Sequence, residues 1–241
     1  MFFAFDVDGT LTPSRQRIDP LFEQWFTKWI DTVQEEGHSV LLVTGSDLDK
    51  TIEQLGEHIV ATVDYCCNCL GNRVLHKNNL IYSYEFVPSN KLIAFLEAEL
   101  DASPYPERYG NHIENRGSMV NFSVVGRNAV GEARTRYYDW DKLFSERLAI
   151  ADKINNQFPE VSAQAGGETG IDIIPAGKDK RQVIQYMNTD KVYFLGDRLD
   201  QGGNDRPLAD ALKNSYINSE CIHVNSWQDT WEVLQNMSSK V

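Results

Sequence analysis

Long apolar runs are missing from this chain. Its most hydrophobic stretches, FFAF and SVLLV, are a fraction of the ~20 residues a bilayer-crossing helix needs. MFFAF is also too short for a secretory signal, has no basic flank, and is ended by Asp6. The expected partners therefore do not include a membrane, and the expected compartment is the cytosol. Positive charge is scarce as well. The 241 residues carry 23 Lys and Arg against 35 Asp and Glu, a net charge of −12. Such a chain gains nothing from counterion release, so nucleic acid is not an expected partner. A small phosphorylated substrate stays open, because a basic pocket can sit inside an acidic shell. Cysteine is sparse and clustered: three of four fall in YCCNCL, unlike a disulfide framework. Cys66 and Cys69 with Cys221 and His223 would supply four zinc donors, but Cys-x-His is an uncommon knuckle. Reduced, partly buried thiols are the expected state.

The residues that are present alternate in pattern. FFAFDV lacks polar alternation and reads as a strand buried on both faces. Residues 19–36 place Leu21, Phe22, Trp25, Phe26, Trp29, Ile30 and Val33 three and four apart, which predicts an amphipathic helix ended by Gly37. SVLLVT (39–44) predicts a second buried strand, followed by a helix that Ser46 or Asp47 can cap. ATVDYC, KVYFLGD (191–197) and ECIHV (220–224) repeat the strand signal, with helices expected over about 204–213 and 226–237. Strands alternating with helices imply a parallel sheet covered on both sides.

The middle differs. RVLHKNNLIYSYEF predicts a hairpin around Asn78-Asn79. SNKLIAFLEAEL and YYDWDKLFSERLAIADKINNQF predict helices, the second opening on aspartates that suit a positive helix end. NHIENRGSMVNFSVVG and SAQAGGETGIDIIP predict strands. Tyr137, Tyr138 and Trp140 are expected in the core of this segment or at an interface, rather than as platforms for a sugar. The fold class is α/β: a Rossmann-like parallel-sheet core over 1–81 and 177–241, with an inserted α+β cap over 82–176. No internal repeat or low-complexity tract interrupts it.

In such a sheet the loops after the strand C-termini form the ligand crevice. Asp6, Thr44 and Asp197 each end a predicted strand, so neighbouring strands would bring them together. Of Asp6 and Asp8, one carboxylate can attack while the other handles a proton. Asp197 adds charge enough to hold a hard cation such as Mg²⁺. Lys180 or Arg181 could neutralise a phosphate, and so could the Thr44 hydroxyl with the helix start after it. Alone, a DxD after a strand is often a turn. Three such features at three strand ends are much harder to obtain by chance. None of the five histidines is paired with a serine or cysteine nucleophile.

DVDGTLT resembles the first motif of the haloacid dehalogenase superfamily of phosphotransferases. That resemblance implies Asp6 as the nucleophile that becomes an aspartyl phosphate and Asp8 as the general acid/base. It also implies Thr44 and Lys180 as catalytic partners, Asp197 as a metal ligand, and Asn204 and Asp205 in support. FDVDGTLTPSRQRIDP, GSDLDKTIEQLG, NRGSMVNFSVVGR, GGETGIDIIPAGKDKR and GDRLDQGGND, in this order over nearly the whole chain, are similar to the eukaryotic-type phosphomannomutase family. The likeness implies a Mg²⁺-dependent mutase interconverting hexose (mannose) 6- and 1-phosphates, with a hexose 1,6-bisphosphate as activator and a homodimer through the cap. It places substrate contacts at Arg15, Arg116, Asn121, Arg127, Arg134 and Asp172. Three stretches depart from the family pattern: TGSD in place of GGSD, Gly170 where a serine precedes Asp172 by two, and YCCNCLGN in place of a stretch ending in Asn-Gly.

A mutase and a phosphatase share their first step and differ in what accepts the phosphoryl group. A bisphosphate that must bind in two orientations needs a fixed cationic seat for its idle phosphate, and arginine forks suit that duty. A Mg²⁺-dependent sugar-phosphate phosphatase is the alternative enzyme. A non-catalytic sugar-phosphate-binding protein is the alternative from another class, and the intact set of Asp6, Asp8, Lys180 and Asp197 argues against it.

Overall fold

The computed structural model describes residues 1–215 and 217–238. In chain order the first elements are β1 (Phe2–Phe5), α1 (Pro20–Glu35), β2 (Ser39–Val43), α2 (Leu48–Thr62), β3 (Tyr65–Asn68), β4 (Arg73–His76) and β5 (Asn79–Ser83). There follow α3 (Asn90–Ala102), β6 (Ile113–Asn115), β7 (Val120–Phe122), α4 (Gly131–Phe144), α5 (Glu146–Gln157), β8 (Val161–Gly166) and β9 (Gly170–Pro175). The chain closes with a 3₁₀ segment (Lys180–Tyr186), β10 (Lys191–Gly196), α6 (Arg206–Lys213), β11 (Asn218–His223) and α7 (Trp227–Ser238). Two compact units result: 1–83, 180–201 and 205–241 form one, and 84–179 with 202–204 the other.

The first unit is built on a seven-stranded sheet in the order β11-β10-β1-β2-β3-β4-β5. Its first five strands are parallel, and β4 and β5 extend it as an antiparallel hairpin. β1 lies at the centre, which explains why every one of its residues is apolar and buried. Phe3 and Phe5 point to the side covered by α1, α2 and α7, while Phe2 and Ala4 point to the side covered by α6 and the 3₁₀ segment. Phe5 meets Phe26 edge-on at 5.4 Å and Trp29 at 5.8 Å. The carboxylate of Asp19 accepts from Leu21 and Phe22 N–H and so caps α1. Asp47 caps α2 through Lys50 N–H.

The second unit is a four-stranded antiparallel sheet, β6-β7-β9-β8, with helices on one face. Val120, Phe122, Ile171, Ile173 and Ala163 pack there against Leu92, Leu96, Tyr137, Ile150 and Ile154. Several local expectations shift. Residues 61 and 62 end α2 rather than opening β3. The hairpin turn lies at Lys77-Asn78, both at positive φ, one residue earlier than expected. The long helix after Gly131 breaks at Ser145, which is left-handed. Its aspartates therefore lie inside α4, where Asp141 serves the break. It accepts from the N–H and Nε of Arg147, at 2.8 Å each. The Arg147 guanidinium also donates to carbonyls of the β8–β9 turn, among them Gly167 at 2.9 Å.

The Arg147–Asp141 pair is almost wholly buried, so removing one partner strands a charge. Arg147→Met is expected to cost about 3–5 kcal/mol in denaturant unfolding. Arg147→Met with Asp141→Leu should recover part of that loss. A single variant as stable as the parent would contradict this.

Candidate active site

Because β2, β1 and β10 are neighbours, the residues that follow them share one edge. Asp6 donates its N–H to Leu195 of β10 at 3.0 Å and is buried. The 3₁₀ segment brings Lys180 to the same place. Its ammonium, fully buried, donates to Asp6 Oδ1 at 2.5 Å and to Asp205 Oδ1 at 2.7 Å. The second oxygen of Asp205 accepts from Arg198 N–H at 3.0 Å, so both its oxygens are used. Asp6 Oδ2 receives no hydrogen bond from the described residues.

Carboxylate oxygens of Asp6, Asp197 and Asp205 lie within 4.8 Å of one another. Three carboxylates against one ammonium leave a formal charge of −2. Burial pushes the Asp6 carboxyl well above the ordinary range; Lys180 opposes this, and Asp205 and Asp197 add to it. Asp197 is pushed up to about 7, first by burial and then by Asp205. Burial works against the charge on Lys180, but Asp205 and Asp6 outweigh it and hold the ammonium above its usual range. Two glycines let backbone approach these oxygens. Gly9 is at φ +80, and a Cβ there would stand 2.5 Å from Asp197 Oδ2. A Cβ on Gly196 would stand 2.5 Å from Asp205 Oδ2.

Asp8 has a different environment. Its Oδ1 accepts from Arg15 N–H at 2.6 Å and from Gln54 Nε2 at 3.0 Å, and its Oδ2 from the Ser46 hydroxyl at 3.3 Å. Its carboxylate thus stands outside the group of three. The Thr44 hydroxyl is buried and accepts from Ser46 N–H at 3.0 Å, which shapes the loop after β2. Asn204, next to Asp205, has an amide oxygen that is buried and unpartnered among the described residues.

In the second unit the expected contacts Asn121 and Asp172 lie on the sheet face away from the helices, whereas Arg134 belongs to α4. Cross-strand registers align Glu114, Asn121, Asp172 and Gln164 in one row over four strands. Asn121 donates to Asp172 at 2.7 Å. Glu114 binds the Nε of both Arg116 (2.7 Å) and Arg127 (2.9 Å). Burial raises the pKa of Glu114, and the two arginines more than reverse this, leaving it lowered. Arg134 is held by Glu168 through Nε and donates to Thr169 at 3.2 Å.

The sequence profile described as eukaryotic phosphomannomutase matches residues 27–239. The phosphomannomutase of Saccharomyces cerevisiae is 32% identical over 212 residues, 83% of this chain and 82% of its own. That of Oryza sativa subsp. indica is 32% identical over 214 residues, 83% of each. The chain belongs to the eukaryotic phosphomannomutase family. Solved structures share the fold at low identity. The trehalose-6-phosphate phosphatase C-terminal domain of C. albicans has a TM-score of 0.65 at 14% identity, covering 99% of this chain and 91% of its own. A haloacid dehalogenase-like hydrolase from Bacteroides thetaiotaomicron has a TM-score of 0.60 at 13% identity, covering 98% of both.

Residues that sequence reasoning passed over in this phosphomannomutase-family chain are Gln54, Ser46, Glu114 and Gln164. Gln54 was detectable: it falls at helical spacing beside Leu55 and Ile59 on the buried face of α2, where an amide needs a partner. The zinc grouping does not form. β3 and β11 are four strand spacings apart, about 19 Å. Cys66, Cys67 and Cys69 are buried free thiols; burial pushes the Cys66 thiol up to about 12.

Lys180→Met would leave the Asp6 and Asp205 carboxylates facing each other with no cation between them. At neutral pH it is expected to cost about 3–5 kcal/mol of stability. Burial already favours the neutral Asp6 carboxyl, so the loss should narrow between neutral and mildly acidic pH. Thermal unfolding at the two pH values measures this, and a loss that widens in acid would contradict it.

Proposed function

We propose that the protein is a Mg²⁺-dependent phosphomannomutase that interconverts hexose 6- and 1-phosphates, mannose foremost, through a phosphoryl group carried on Asp6. The observation that carries this reading is the buried Lys180–Asp6 contact, which takes one oxygen of Asp6 and leaves the other for phosphorus. The Asp6 oxygen attacks, the bond from phosphorus to the sugar oxygen breaks, and Asp8 gives that oxygen its proton. With a hexose 1,6-bisphosphate as the donor this step leaves a hexose monophosphate; when a monophosphate is bound in the opposite orientation, Asp8 takes the proton from its free hydroxyl as the phosphoryl group passes from Asp6 to that oxygen and remakes the bisphosphate. Arg15 and Thr44 would steady the reacting phosphate. Arg116, Arg127 and Arg134 would seat the idle one, and Asn121 and Asp172 would hold sugar hydroxyls.

The donor set fits Mg²⁺: all oxygen, with an uncompensated charge of −2. Asp6 and Asp197 would hold the ion, supported by Asp8, Asn204 and Asp205. Asp205 acts chiefly by anchoring Lys180. When bound, the ion supplies positive charge for the transferring phosphoryl oxygens. A homodimer through the inserted unit belongs to the same reading, supported by Leu143 and Phe144, apolar and well exposed at the end of α4. So does a cytoplasmic location, supported by the buried thiols. Among the described residues no helix is long and apolar enough to cross a membrane.

Phosphorus NMR of mannose 1-phosphate with Mg²⁺ and a trace of hexose 1,6-bisphosphate should show a 6-phosphate signal growing in. Inorganic phosphate alone would overturn the mutase in favour of a phosphatase. Asp6→Asn should abolish turnover and keep the fold, and near-parental activity would contradict the nucleophile.

The raised Asp197 carboxyl makes a further test. Below about 7 it carries a proton that Mg²⁺ must displace. Mg²⁺ affinity should therefore rise with pH through that value, with protons released on binding. Calorimetry in buffers of different ionisation enthalpy reads both, and proton uptake would contradict the assignment.

A further inference from the structure

Three segments meet on the Asp8 carboxylate. Two donors, Arg15 N–H and the Ser46 hydroxyl, come from loops. The third, Gln54, comes from α2 and is fully buried. The same Gln54 Nε2 donates to the Thr12 hydroxyl at 3.0 Å. A carboxamide nitrogen has two hydrogens, so both bonds form together. Asp8 and Thr12 are themselves joined by an isolated bridge. One side chain thus clamps both ends of the turn that presents Asp8.

The amide's orientation is set by its partner. Asp8 Oδ1 already accepts from the Arg15 N–H, so it meets the amide as an acceptor and nitrogen must face it. Gln54 Oε1 then points away, is buried, and has no hydrogen-bond partner among the described residues. Leaving such an oxygen unmet costs stability, and an aliphatic side chain of similar volume would avoid that cost. Packing alone gives no reason for an amide here.

We infer that Gln54 is a positioning residue for proton transfer, holding the Asp8 carboxyl toward the leaving oxygen of the substrate. This rests on the reading of Asp8 as the acid in forming the aspartyl phosphate. In that step the bond from Asp6 to phosphorus forms and the bond from phosphorus to the leaving oxygen breaks. The electron pair stays on the leaving oxygen, which takes the Asp8 proton. A sugar alkoxide needs that proton, whereas a nitrophenolate departs without it. A residue that merely supports the fold would slow both reactions alike.

The test is acid-quenched single-turnover formation of protein-bound phosphate, with Mg²⁺, from a hexose 1,6-bisphosphate and from p-nitrophenyl phosphate. Gln54→Leu is expected to slow the sugar reaction about tenfold or more and the aryl reaction less than about threefold. Gln54→Glu, which turns an acceptor toward Asp8, should show the same selectivity and serves if the leucine variant does not fold. Asp8→Asn should show a larger selectivity of the same sign. A selective Asp8→Asn beside unselective Gln54 variants overturns this inference alone. If Asp8→Asn is also unselective, the reading of Asp8 as acid falls and takes the inference with it.

Discussion

Lys180 sits with no exposure between Asp6 and Asp205, and its ammonium reaches one oxygen of each. Burying an ammonium costs several kcal/mol unless carboxylates face it, and burying carboxylates costs as much unless a cation does. Each group is tolerable only because of the others. That mutual requirement draws three distant segments together: the end of β1, the 3₁₀ segment, and the loop before α6. The glycines at 9 and 196 follow from the same constraint, since a Cβ at either would collide with a carboxylate oxygen.

The pair also divides the labour among the acidic residues. Asp205 is spent on Lys180 and the Arg198 N–H, and is thereby an anchor. Asp6 gives Lys180 one oxygen and keeps the other. Asp197 makes no such commitment, and its carboxyl is pushed up by burial and then by Asp205. Asp8, two residues from Asp6, escapes the crowd because Arg15, Ser46 and Gln54 turn its side chain elsewhere. Two carboxylates two positions apart thus take unlike surroundings, which chemistry with one nucleophile and one acid requires.

Much of the fold was legible because burial on two faces leaves a plain trace. FFAF and SVLLV have no polar alternation, and only a central parallel strand explains that. The amphipathic stripe of α1 and its Asp19 cap were equally plain. Where the reading slipped, competing local forces were close in strength. Ser145 in a left-handed conformation breaks a continuous helical pattern because the Arg147–Asp141 pair favours the corner. The Lys77-Asn78 turn differs by one residue because Lys77 takes the positive φ and Asn79, better suited to it, is drawn into β5. In the site, strand ends announced which residues would converge. Which partner each would choose was not legible, since Gln54 reaches Asp8 across 46 positions and Lys180 reaches Asp6 across 174. Spacing along a chain carries no record of such contacts.

The central claim is a covalent bond between phosphorus and the free oxygen of Asp6. Borohydride reduction of enzyme quenched during turnover, followed by peptide mass spectrometry, tests it most directly. A phosphorylated carboxyl is reduced to an alcohol, so the account predicts homoserine at position 6 and an unchanged residue at position 8. Homoserine at position 8, 197 or 205 with position 6 intact would contradict it.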